Sequence, residues 1–138
     1  MRVYLGPYQT DRVEEIEIHD YDTWNADHTI ALIALPIIQK LKESTHGSPF
    51  VDNNDVPEDL RAPIDFDYDS GDIDEKHHER WQWVLSEIIF GLEHVLDEGW
   101  EIKYHGKDKL DIDGHTKEFN RMQNGLQLFG KYFSALWS

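Results

Sequence analysis

Three stretches of the chain repeat apolar residues at intervals of three and four, a spacing that commits most of it to amphipathic helices. In the first, Ile30, Ile33, Ile37 and Leu41 form a stripe, with Ala34 and Ile38 beside it. Asp20-Tyr21-Asp22-Thr23 supplies N-cap side chains ahead of it, so a helix is expected from about Thr23 to Ser44. Pro36 falls inside that span, where it removes a backbone donor and crowds the Leu32 carbonyl; a kink is expected there. The second stripe is Trp81, Val84/Leu85, Ile88, Leu92 and Val95/Leu96. Its helix should begin near Asp72 to Glu75, where acids suit the positive helix end, and run to about Glu98 before Gly99. The third runs through Phe119, Met122, Leu126, Phe129, Phe133 and Leu136/Trp137, after a turn expected at Asp113-Gly114. Gly125 and Gly130 each cost about 1 kcal/mol relative to Ala inside a helix, and are read as marks of close packing against a neighbour or a bound group.

Between these stripes the periodicity changes. Arg2-Val3-Tyr4-Leu5, closed by Gly6-Pro7, and Val13-Glu14-Glu15-Ile16-Glu17-Ile18 read as a small two-stranded ribbon, and Glu101-Ile102-Lys103-Tyr104 as a short strand. From Thr45 to Ile73 turn residues punctuate an irregular segment, expected to be a loop. Residues 51–75 hold ten acids against one base, Arg61. The last 24 residues are locally basic, three cations to one acid. The expected fold is mainly α: a kinked three-helix core with a small N-terminal β ribbon and a long acidic loop, one domain over 1–138.

With 138 residues the chain can bury a single core, and a formal charge of −15 disfavours direct nucleic-acid binding, which depends on Lys and Arg displacing counterions. The absence of Cys removes disulfides, thiolate metal sites and Cys nucleophiles. No apolar block follows Met1 and no stretch of 18 apolar residues exists, so a soluble protein with no membrane partner is expected.

Catalytic patterns fail on their spacing. Asp65-Phe-Asp67-Tyr-Asp69 alternates carboxylates as calcium loops do, yet the position needing Gly is Ser70 and the one needing Glu is Lys76. Glu43-Ser-Thr-His46 and Glu75-Lys-His-His78 have the di-metal helical spacing but fall near helix ends. His78-Glu79-Arg80-Trp81-Gln82 has Gln where a zinc protease needs its second His. Glu75/Glu79 and Glu93/Asp97 are each one residue too long for the pairs of helical nucleotide pyrophosphatases, leaving a metal-dependent nucleotide hydrolase as a distant alternative. No catalytic residue, metal ligand or cofactor is assigned.

Binding residues are better represented. Arg80, Arg121 and Lys131 can supply phosphate charge, Trp83 or Tyr132 a stacking face, and Asn124 hydrogen bonds to a base or ribose. The turn at His46-Gly47-Ser48 could complete such a pocket with its N–H groups. The acidic surface points to a different partner, a protein whose basic groove accepts carboxylates where phosphates would lie. Aromatics near Trp137 could also make a symmetric interface between two copies.

Tyr21-Asp22-Thr23-Trp24 through Asp27-His28-Thr29, His46-Gly47-Ser48-Pro49-Phe50-Val51-Asp52 and Asp55-Val56-Pro57-Glu58 are distinctive runs, as are Arg80-Trp81-Gln82-Trp83-Val84-Leu85, Arg121-Met122-Gln123-Asn124-Gly125-Leu126 and Leu128-Phe129-Gly130-Lys131-Tyr132. Over roughly residues 15 to 138 the chain resembles a family of small, mostly uncharacterised tailed-bacteriophage proteins. Longer relatives carry an extra segment after Gly6-Pro7-Tyr8 that this chain lacks. The resemblance implies a phage product made in the host bacterial cytoplasm and no settled activity. The reading placed first is a non-enzymatic phage protein acting in anti-defence by sequestering a nucleotide-like signal; the alternative is an acidic inhibitor of a host protein.

Overall fold

The computed structural model describes residues 1–4, 15–106 and 110–138. Leu5, Gly6-Pro7 and Val13-Glu14 of the expected ribbon lie outside the described residues. Strands β1 (Arg2–Tyr4) and β2 (Glu15–Glu17) pair antiparallel, with Arg2 opposite Glu17 and Val3 opposite Ile16. Opposite charges facing across the pair favour this register.

Three helices make the body: α1 (Ala26–Ser44), α2 (His77–Leu96) and α3 (Ile112–Lys131). The first two bracket their apolar stripes to within a few residues; α3 ends at Lys131, so Phe133 and Leu136 of its expected stripe lie in and after a separate 3-10 turn, Phe133–Ala135. A 3-10 turn at Asp20–Thr23 precedes α1, where Asp22 accepts the His19 N–H at 2.9 Å. Pro36 lies inside α1 without ending it; Pro36 and Leu32 share the exposed face, where water can replace the lost hydrogen bond. Three expectations are corrected. Glu101–Tyr104 is no strand but part of a 3-10 helix, Trp100–Tyr104, because Trp100 is buried against the helices and its turn closes with i to i+3 bonds. Asp113-Gly114 is no turn but the first turn of α3, capped by the Asp111 carboxylate accepting the Gly114 N–H at 2.9 Å. The connection between α1 and α2 is more than a loop: 3-10 turns at Asn53–Asp55, Glu58–Leu60 and Tyr68–Ser70 fold it, and Val51, Val56 and Ala62 are buried.

Helix α2 is the centre of the core. Trp81, Val84, Leu85 and Ile88 are fully buried, Ala31 and Ile38 reach them from α1, and Leu128 and Tyr132 from the α3 side. Gln82 Nε2 donates to the Lys42 carbonyl at 3.2 Å, while Trp81 meets Tyr132 and His94 lies near Glu118, so α1 and α3 both run antiparallel to α2. Gly125 permits the α2–α3 approach, since a Cβ there would stand 2.2 Å from the Glu87 carbonyl oxygen. Gly130 has nothing within 4 Å and marks no contact.

Candidate functional site

The structure distributes the seven predicted binding residues among three places. Arg80 and Trp83 are in the first turns of α2, and the exposed His46 follows the end of α1, two residues before Ser48, which meets the start of α2. There the His77 ring donates from Nε2 to the Ser48 carbonyl at 2.9 Å, and Ser48 Oγ bonds His78 Nδ1 at 2.7 Å. Arg121 and Asn124 are exposed on α3, and Lys131 and Tyr132 stand at its end. Five cavities stand out on the surface, and none is lined by any of the seven.

Each of the three predicted phosphate cations already holds a carboxylate. Arg80 is 1% exposed; it clamps Asp74 with both terminal nitrogens, Nη1 at 2.8 Å, and donates to the Leu60 carbonyl at 3.0 Å. These hydrogen bonds hold the Asp74 carboxyl below the usual range, against the opposing effect of burial. Arg121 forks onto Glu87, Nε to Oε1 at 3.1 Å and Nη2 to Oε2 at 2.8 Å, and its guanidinium lies 3.7 Å from the Phe90 ring centre. Lys131 meets Asp55 at 2.5 Å and Asp52 at 3.4 Å. The Tyr132 hydroxyl donates to Asp55 at 2.5 Å and accepts the Asp52 N–H at 3.0 Å; burial, then the Asp55 bond, pushes its pKa up to about 12. Trp83 is partly buried and packs against the core. Asn124 remains a surface side chain one helical turn from Arg121.

The Arg80 and Lys131 pairs fasten the acidic segment to the helices, while Arg121–Glu87 joins α3 to α2. Asp52, Asp55 and Asp74 are consumed in the fastening; the other seven acids of residues 51–75 (Glu58, Asp59, Asp65, Asp67, Asp69, Asp72 and Glu75) are exposed and form no ion pair among the described residues. The result is an anionic surface on a segment anchored at Val51, Val56, Ala62 and Asp74. Among the described residues no group of three or more His, Asp or Glu side chains is placed to hold a metal ion.

A second surface lies between α1 and the C-terminal end. Ile30, Ile33, Ile37 and Leu41 form one wall; Phe129, Phe133 and Leu136 form the other. Ala34 and Ile38 complete a lining with no polar side chain, around a cavity of about 460 Å³. At one end Ser138 Oγ donates to the Ser44 carbonyl at 3.2 Å, joining the walls. The sequence did carry a signal for it: the apolar arc of α1 is wider than one seam, Ala31 and Ile38 facing α2 while Ile30, Ile33 and Ile37 are left over.

No protein-family model, curated protein or solved structure matches the chain. Among the described residues no helix is long and apolar enough to cross a membrane.

Proposed function

We propose that the chain is a non-enzymatic bacteriophage protein that acts by binding a host protein through its acidic surface. The observation that supports this reading is the division of the 51–75 acids, three spent on anchoring and seven presented to solvent without an ion pair among the described residues. A cluster of exposed carboxylates steers a basic partner and binds it with strong salt dependence. Host proteins that hold nucleic-acid phosphates offer such basic surfaces. Sequestration of a nucleotide-like signal is less well supported, because Arg80, Arg121 and Lys131 would have to leave their carboxylates to meet a phosphate.

The test is recovery of tagged protein from infected bacteria, analysed by native mass spectrometry. A co-purifying host protein is expected, released as salt rises. Replacing Asp65, Asp69 and Asp72 with Asn should weaken that complex at least about tenfold, whereas Arg121→Ala should leave it unchanged. A stoichiometric nucleotide, lost in Arg121→Ala, would overturn the proposal.

A further inference from the structure

We propose that the groove between α1 and the C-terminal residues docks an amphipathic helix of a partner protein, apolar on the seated face and flanked by Lys or Arg. This rests on the protein-binding reading above and gives it an interface. The geometry comes from the helix arrangement. Both α1 and α3 pack along α2, antiparallel to it, and barely touch each other. The furrow left between two neighbours on a third helix is where a bundle seats its fourth helix. Its α1 wall, Ile30 to Leu41, advances eleven residues, about 16 Å or three helical turns, which sets the length of helix it accepts.

The chemistry of the lining narrows the occupant. With nine apolar residues and no polar anchor, the groove rewards burial of side chains at i, i+3, i+4 and i+7 of a helix and offers nothing to a charged small ligand. Ile30, Ile37 and Phe133 are 58%, 54% and 65% exposed, a continuous apolar face in a chain otherwise rich in charge. Charge then selects between a second copy and a different protein. Beside the groove the charges cancel, Asp27 and Glu43 against Lys40 and Lys42 on α1, and Lys131 at the end of α3 held by Asp52 and Asp55, so the net −15 of the molecule decides. A second copy brings another −15 and is repelled; a helix with basic flanks is attracted.

The probe is a fluorescein-labelled peptide of about 18 residues, Leu at i, i+3, i+4 and i+7 and Lys on the remaining face, with a control of identical composition whose Leu residues are dispersed around the helix. Fluorescence anisotropy against the full chain at about 150 mM salt, where surface charge is screened beyond about 8 Å, should show the patterned peptide binding at least tenfold tighter. Ile37→Asp and Phe133→Asp, each at an exposed position and checked for an unchanged helical circular dichroism spectrum, should each remove that advantage. Equal binding of the two peptides would overturn the proposal, as would a concentration-dependent dimer dissolved by Ile37→Asp, which would assign the groove to a second copy. The Asp65, Asp69 and Asp72 to Asn variant should preserve the ratio between peptides. Loss of host capture in that variant with the ratio intact concerns the acidic surface; loss of the ratio concerns the groove.

Discussion

Arg80 and Asp74 stand six residues apart, yet the meaning of the pair depends on both being buried. In the sequence, Arg80 beside Trp81 and Trp83 has the composition of a ligand-stacking site; folded, it is an internal fastener between α2 and the acidic segment. Removing one member strands the other charge in the interior. Asp74→Ala or Arg80→Ala should therefore cost about 3–5 kcal/mol in urea unfolding, while replacing both by apolar residues should cost much less. The pair also fixes an acid limit. The folded Asp74 carboxyl holds its proton less tightly than the unfolded one, so its stabilisation is complete above the ordinary carboxylate pKa of about 4 and is lost as pH falls through its lower folded value. Unfolding free energies measured from pH 7 downward should converge between wild type and Asp74→Ala only in that acid range. The Arg121–Glu87 and Lys131–Asp55 pairs were equally hidden, because their partners are 34 and 76 residues distant and nothing in local spacing announces them.

At the scale of elements, helical periodicity survived folding because each helix buries part of its apolar arc in the shared core, Ala31 and Ile38 from α1, Trp81 to Leu92 from α2 and Leu128 from α3, while Ile30 and Ile37 of the α1 stripe stay exposed. Short segments did not. Residues 100–104 alternate too briefly for their period to decide, and the burial of Trp100 imposed a 3-10 helix. The two glycines of α3 separate intrinsic propensity from packing. A Cβ on Gly125 meets the backbone of α2, so Gly125→Ala should destabilise by about 2 kcal/mol despite the roughly 1 kcal/mol that Ala gains as a helix former. Gly130→Ala meets nothing and should stabilise by about 0.5–1 kcal/mol. Paired urea titrations read both, and equal signs would mean that α2 and α3 do not approach as closely as described.

For the whole molecule, charge opposes compactness while the pairs just described resist it locally. With −15 on 138 residues, raising salt from about 10 to about 100 mM, which shortens the screening distance from about 30 to about 10 Å, should raise the melting temperature by several degrees; a fall would mean that the ion pairs outweigh the repulsion. What the sequence determined alone was local or additive: helix positions, a small N-terminal ribbon, net charge and the clustering of acids at 51–75. Periodicity and charge are properties of neighbouring residues or of sums, and they need no coordinates. Which carboxylate meets which cation, which acids stay free and which half of the α1 stripe is left uncovered were decided only by the tertiary structure. Those outcomes depend on residues distant in the chain meeting across α2, and long-range pairing leaves no trace in local spacing.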